Sequence, residues 1–230
     1  MRRAAILVLL AAAAPSPALA HAIGGADAAF VSGAVGPEPF PFLYLGAKHM
    51  VTGYDHLLFL AGVVFFLHRL REIALYVTLF SLGHSLTLVA GVLGRWTVDP
   101  FLVDAVIGLS VAYKGFDNLG GWRTLFGRQP DLRLVVFGFG LVHGLGLATK
   151  LQALEPNPEG LLANLLAFNL GVELGQLLAL GLIVGLFAAW RRTAAFARFS
   201  AFANAGLITA GLVLTGQQLA AFAARSGALA

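Results

Sequence analysis

Several side chains that can bind a metal ion stand inside long apolar stretches of this sequence. Three are histidines and three are carboxylates: His56, His84, His143, Asp55, Asp104 and Glu173. A charge at the centre of a membrane helix costs about 2.5 to 3.5 kcal/mol, so the carboxylates need a compensating role. The chain has no cysteine, which leaves imidazole, carboxylate, amide and backbone oxygen as ligands. Imidazole with carboxylate suits divalent nickel, cobalt, zinc, manganese or iron.

Further polar side chains could complete or orient such a site. His49 lies seven residues before His56 and shares its face if the helix is continuous. Asn169, Glu173 and Gln176 follow i, i+4, i+7 spacing, which predicts one polar stripe on a helix. One histidine or asparagine in a membrane helix would be explained by an interhelical hydrogen bond, but histidines on separate helices favour a shared polar centre.

The composition requires that these residues be placed by membrane helices. Hydrophobic residues make up 59% of the 230 positions and charged residues only 11%, far from the roughly one quarter of a soluble domain. Six apolar stretches are each long enough to cross a hydrocarbon core of about 30 Å. They cover residues 42–67, 73–94, 101–120, 133–153, 161–190 and 200–224. The sequence therefore predicts an all-α, polytopic membrane protein, a six-helix transmembrane bundle spanning residues 42–224.

The first residues have the pattern of a secretory signal peptide. Arg2 and Arg3 precede a short apolar run, and residues 18–20 are the small-x-small pattern of a cleavage site. We expect a signal peptide over 1–20, a mature chain that begins at His21, an extracytoplasmic segment over 21–41 and a tail over 225–230. A new N-terminal histidine would offer an amine and an imidazole to one metal ion, so His21 is a candidate ligand.

The basic residues predict how the helices are oriented. With the mature N-terminus outside, eight arginines fall in cytoplasmic gaps and three basic residues fall outside. The inner group is Arg69, Arg71, Arg123, Arg128, Arg133, Arg191, Arg192 and Arg198. The outer group is Arg95, Lys150 and Arg225. This asymmetry agrees with the positive-inside rule and predicts that both termini of the mature chain are extracytoplasmic. With the signal peptide, it leads us to expect a protein of the bacterial inner (plasma) membrane.

When the helices are oriented in this way, the polar residues of four spans lie near the same depth in the membrane. GxxxG spacings at Gly140 to Gly144 and at Gly171 to Gly175 predict close helix contacts beside them. The predicted metal-site residues are His56, His84, His143, Glu173, Asp55, His49, Asp104, Asn169 and His21. Lys114 and Asp117 are instead expected to form a local ion pair, with the lysine reaching toward the headgroups.

Three functions are compatible with a polar centre of this kind. It could be a transient site through which a divalent metal crosses the membrane while protons exchange. It could be an intramembrane hydrolase in which zinc activates a water molecule, although neither H-E-x-x-H nor G-x-S-x-G occurs. It could also belong to a non-catalytic accessory subunit that supplies metal to a partner enzyme.

Four ordered motifs resemble the HupE/UreJ family of small bacterial membrane proteins. They are G-x-D-H-L-L-F-L at 53–60, G-H-S-L-T-L at 83–88, F-G-L-V-H-G-L-G-L-A at 139–148 and F-N-L-G-V-E-L-G-Q at 168–176. The resemblance implies nickel or cobalt permeation and partnership with a hydrogenase or urease maturation system. Asp104 and Asp117 stand where the family pattern suggests glutamate, which keeps the carboxylate at both positions but shortens its reach.

Overall fold

The computed structural model describes residues 25–227, and over this range the chain is helical and contains no strand. We number the helices in chain order. They are α1 (Ala26–Gly33), α2 (Pro39–Thr52), α3 (Tyr54–Val64), α4 (Leu70–Leu93), α5 (Pro100–Asn118), α6 (Gly121–Phe126), α7 (Leu132–Gln152), α8 (Leu161–Arg191) and α9 (Ala194–Arg225). The predicted signal peptide and His21 lie outside the described residues.

Four of the described helices are long and apolar enough to cross a membrane: α4, α7, α8 and α9. They contain between 21 and 32 residues, and at about 1.5 Å per residue each spans the hydrocarbon core. The prediction of an all-helical membrane protein is confirmed at this level. The count of six spans stays a prediction, because the first stretch is broken into α2 and α3, and α5 carries Asp104, Lys114 and Asp117.

The break between α2 and α3 lies at Gly53, so the first apolar stretch is two helices rather than one continuous span. Gly53 has ψ 91°, outside the helical range, and its N–H donates to the carbonyl of His49. The helical segment also begins earlier than predicted, at Pro39, and α1 lies within the segment expected to precede the bundle. This break places the last turn of α2 directly before the first turn of α3.

Arg191, at the end of α8, fixes the other end of α3. Its guanidinium donates hydrogen bonds to the carbonyls of Val64, Phe65 and Leu67 at 2.6 to 3.2 Å. The last carbonyls of a helix have no partner within that helix, and inside a membrane they cannot be left unsatisfied. Arg191 therefore both caps α3 and ties it to α8.

Close approach of α4 and α7 depends on glycines. A Cβ added to Gly144 would collide with the carbonyl of His84, and one added to Gly140 would collide with the carbonyl of Phe80. The Thr87 hydroxyl also donates to the carbonyl of Leu141 at 2.6 Å. The predicted contact through Gly140 and Gly144 is therefore confirmed, and it fixes α4 against α7 at the level of His84.

The second GxxxG pair packs α8 against α2. A Cβ at Gly171 would collide with the carbonyl of Leu43, and one at Gly175 would lie 2.7 Å from the carbonyl of Ala47. An apolar core of α1, α2, α4, α7 and α8 residues surrounds this contact, with Phe42, Met50, Leu88, Leu151 and Phe168 at its centre. The short helix α2 is thereby held beside the middle of the bundle.

Candidate metal centre

Three histidines from three helices meet inside the bundle. One nitrogen each of His49, His56 and His84 lies within 4.8 Å of the other two. The rings of His49 and His56 have centroids 5.2 Å apart, and those of His56 and His84 are 6.2 Å apart. His56 and His84 are each 1% exposed, so this cluster is shielded from solvent. Imidazoles so arranged can serve as ligands of one metal ion.

The helix break brings His49 and His56 together. His49 occupies the last turn of α2, and His56 occupies the first turn of α3. The prediction that the two rings share a face was made for a continuous helix. In the structure they meet across the Gly53 break, where a Cβ on that glycine would lie 2.7 Å from Nδ1 of His56. Only a residue without a side chain leaves room for this ring.

The packing of α4 on α7 positions His84 inside the bundle. Within residues 25–227, neither of its ring nitrogens has a hydrogen-bond partner, and the side chain is fully buried. The ring stacks on Phe80 with centroids 6.3 Å apart. A buried polar group without a partner costs about 1 to 3 kcal/mol, so this site is destabilised unless a ligand satisfies it.

Asp55 orients His56. Its Oδ1 accepts from the backbone N–H of His56 at 2.8 Å and lies 2.9 Å from the ring Nδ1 of the same residue. This contact fixes the orientation of the imidazole ring, as hydrogen bonds to carboxylates do for metal-binding histidines. Asp55 is only 2% exposed, so this contact is shielded from solvent. The predicted role of Asp55 as a source of negative charge fits this contact.

His143 packs against the opposite side of His56, with ring centroids 4.8 Å apart. Its Nε2 lies 3.3 Å from Oγ of Ser110, whose own proton is donated to the carbonyl of Ile107. With its own proton donated to that carbonyl, the serine oxygen can accept from Nε2–H. His143 was predicted from the sequence, and Ser110 on α5 is its structural neighbour.

Asp104 is not part of the histidine cluster. Both of its oxygens accept from Nζ of Lys150, at 2.9 and 2.7 Å. Lys150 was predicted to lie outside the cytoplasm; in the structure it lies in the last turn of α7 and neutralises the carboxylate of α5. A partner 46 residues away in the chain leaves no local signal, although Lys150 lies two turns after His143 on the same helix.

Glu173 also stands apart from the histidines. Its side chain is on the exposed surface of α8, and this corrects the expectation that it forms one polar stripe with Asn169 and Gln176, which are buried. The sequence contains the reason. Glu173 lies two residues from both Gly171 and Gly175, which is about 200° around the helix from the side that packs on α2.

The other two members of the predicted α8 stripe are buried. The Gln176 amide accepts from Ser81 at 2.7 Å and donates to the carbonyl of Val77, so it joins α8 to α4. Asn169 is 8% exposed, and within the described part of the chain neither its amide nitrogen nor its amide oxygen has a hydrogen-bond partner. Phe168, its neighbour in sequence, packs on His49 with centroids 6.0 Å apart. Asn169 therefore remains a candidate for the second shell of ligands.

The predicted ion pair between Lys114 and Asp117 is present, with Nζ and Oδ2 2.5 Å apart. Its expected location at the headgroups is wrong, because the two residues are only 4% and 5% exposed. The second carboxylate oxygen accepts from Gln129 at 2.8 Å. The aliphatic part of the Lys114 side chain packs against Gly62 of α3, where an added Cβ would lie 2.9 Å from Cγ of the lysine. This pair is part of the packing between α3 and α5.

The donor set fits a borderline divalent metal. Metal–imidazole bonds of about 2.0 to 2.1 Å place tetrahedral ligand nitrogens about 3.3 Å apart, so the widest pair of the three must close by roughly 1.5 Å. Rotation of the rings about their side-chain bonds can supply such a movement. The cluster provides nitrogen ligands and a hydrogen-bonded carboxylate, and no thiolate, since the chain has no cysteine.

Comparison with known proteins gives one match. No curated protein and no solved structure matches the chain. The family model described as HupE / UreJ protein matches residues 26–226, nearly the whole sequence. The matched range contains all four motifs on which the resemblance was based. The chain therefore belongs to the HupE/UreJ family.

Proposed function

We propose that this protein binds a divalent transition metal at His49, His56 and His84 and carries it across the bacterial inner membrane. The observation that carries the proposal is the cluster of three imidazole nitrogens within 4.8 Å, one of them on a buried His84 with no hydrogen-bond partner among residues 25–227. Membership of the HupE/UreJ family supports nickel or cobalt as the substrate.

The site has properties expected of a transient substrate-binding site rather than of a tightly bound, permanent metal. Its ligands are neutral imidazoles, and the neighbouring carboxylate is engaged with His56 rather than pointing at the metal as a further anionic ligand. A substrate site in a membrane path must bind an ion strongly enough to replace its water and weakly enough to release it. Three imidazoles that close only when the metal arrives meet both conditions.

The break at Gly53 fits the same role. Transporters place substrate sites at discontinuous helices, where helix ends and unwound backbone supply polar groups inside the membrane. Here the break separates two ligands, so a small change in the angle between α2 and α3 alters the distance between His49 and His56. Arg191 holds the C-terminal end of α3 through hydrogen bonds, so the movement takes place at the N-terminal end, next to Gly53.

Uptake into proteoliposomes tests this function. Vesicles that contain a fluorescent nickel chelator report entry of nickel, and the protein is compared with His84→Leu and with His68→Leu, a control at an exposed histidine between α3 and α4. We expect uptake by the parent and by the control, and loss of at least about tenfold in His84→Leu, equivalent to about 1.4 kcal/mol of binding.

The other outcomes separate the remaining functions. Histidine-dependent nickel binding without uptake would assign the chain an accessory role, in which metal is passed to a hydrogenase or urease maturation system. Equal uptake by the parent and His84→Leu would reject the assignment of the site.

A further inference from the structure

A second charged feature lies on α5 and α7, the helices that carry Ser110 and His143. Asp104 of α5 and Lys150 of α7 form an ion pair in which both carboxylate oxygens accept from one ammonium group. Asp104 is 8% exposed as a residue, and the side chain of Lys150 is 18% exposed. The pair is therefore largely buried, with the lysine as its more accessible member.

Asp104 lies between this lysine and the histidine cluster. A Cβ added to Gly146 of α7 would lie 3.8 Å from Oδ1 of Asp104. Gly146 is three residues after His143 and four before Lys150, so the carboxylate is about one helical turn from each along α7. The carboxylate thus lies between His143 and Lys150 along α7, about one turn from each.

The ion pair of Asp104 with Lys150 differs from the other buried pair of α5, that of Asp117 with Lys114. Asp117 accepts from Lys114 through one oxygen and from Gln129 through the other, and the lysine side chain is only 5% exposed. Among residues 25–227, the hydrogen bonds to the Asp104 carboxylate come from one ammonium, that of Lys150 in the last turn of α7. A lysine in that position has a flexible four-carbon stem and can move its charge into the interfacial water.

We propose that Asp104 is the first carboxylate that a divalent metal meets on its way to the histidines, and that Lys150 is a built-in competitor for it. The lysine ammonium neutralises the carboxylate while the path is empty, since a lone buried charge is costly. An arriving divalent cation, with twice the charge, displaces the ammonium and is then passed over Gly146 toward His143 and His56. This inference rests on the proposed function.

The test is a double-mutant cycle read as the nickel concentration that gives half-maximal uptake into proteoliposomes. The four proteins are the parent, Lys150→Met, Asp104→Asn and the double variant. We expect Lys150→Met to lower the half-saturating concentration about tenfold and Asp104→Asn to raise it about tenfold, each equivalent to about 1.4 kcal/mol. Because the lysine acts only through the carboxylate, the double variant should match Asp104→Asn.

A matched control is available on the same helix. The double variant Lys114→Met with Asp117→Asn removes the other buried pair, and we expect its folded fraction to keep the half-saturation of the parent. If Lys150→Met fails to fold because Asp104 is left uncompensated, the double variant still decides the question. Half-saturation equal to the parent's in both Asp104→Asn and the double variant would show a purely structural ion pair and overturn the inference.

Failure of the proposed function is recognised separately by His84→Leu in the same assay. Uptake that requires His84 but ignores Asp104 rejects only the inference about the ion pair. Uptake that is the same with and without His84 rejects the histidine site, and the inference about Asp104 fails with it.

Discussion

Replacing His84 by leucine should stabilise the protein when metal is absent. His84 is 1% exposed, and neither ring nitrogen has a hydrogen-bond partner in the described range 25–227. A neutral imidazole has one donor and one acceptor, and each buried group left unsatisfied costs about 1 to 3 kcal/mol. Leucine has a similar volume, and an imperfect fit in a packed core costs up to about 1.5 kcal/mol. Two such groups at the lower end of this range, less the misfit, give an expected net gain of at least about 0.5 kcal/mol in His84→Leu.

The same substitution should reverse the order of stability when metal is present. A ligand at 100 times its dissociation constant stabilises the folded state by about 2.7 kcal/mol. The parent gains this amount from nickel, whereas a variant without one of three ligands gains little at the same concentration. His84→Leu is thus expected to be the more stable protein in chelator and the less stable one in nickel.

Unfolding in detergent, followed with a chelator and then with nickel, measures both effects. His68→Leu, a change at an exposed histidine, provides the control and should respond to nickel as the parent does. A variant that is less stable than the parent in chelator, and that is stabilised by nickel to the same extent, would refute the reasoning. That result would mean that His84 has a structural role and does not bind the metal.

Three further predictions concern the fold and the corrected site. Gly144→Ala should destabilise the protein by about 1 to 3 kcal/mol in thermal unfolding, because the added Cβ would collide with a carbonyl of α4. Gly138→Ala on the same helix is the control: its added Cβ would lie in open space, so the substitution should be neutral or stabilising. Arg191→Gln should cost about 1 to 3 kcal/mol through lost caps on α3, with exposed Arg192→Gln as its control in the same measurement. Glu173→Gln should keep the nickel affinity within about twofold of the parent's in isothermal titration, because the side chain is exposed on α8. A loss of affinity of about tenfold would show that Glu173 is a metal ligand.

The sequence was sufficient to predict that imidazoles from separate helices meet. His56, His84 and His143 stand in apolar stretches, and the direction of each stretch fixes the depth of each residue. Depth does not fix the side of the helix on which a residue lies. Glu173 has the expected position along α8, but the glycines on either side of it turn the opposite face toward α2, so the carboxylate points away.

Long-range partners and local breaks were the parts that sequence reasoning missed. The pairing of Asp104 with Lys150 joins residues 46 apart, and no periodicity within either helix indicates it. The break at Gly53 depends on tertiary contacts at both ends, since glycine also occurs inside several intact helices of this chain. For the same reason the spacing of His49 and His56 suggested a shared face of one helix rather than two helix ends.

Membership of the HupE/UreJ family and the geometry of the cluster support different parts of the account. The family model covers residues 26–226 and shows the family to which the chain belongs. The cluster indicates which residues would hold that substrate, and its donor set would suit zinc as well as nickel or cobalt. A purified protein that tightly retains one zinc ion per chain would favour the hydrolase rather than a transport site.

X-ray absorption spectroscopy of the nickel-loaded protein measures the claimed coordination most directly. The spectrum should show the multiple-scattering features of about three imidazole ligands, the number of histidines in the cluster, and this number should fall by one in His84→Leu. A nickel ion surrounded only by oxygen, or a spectrum unchanged by that substitution, would contradict the assignment of the metal to His49, His56 and His84.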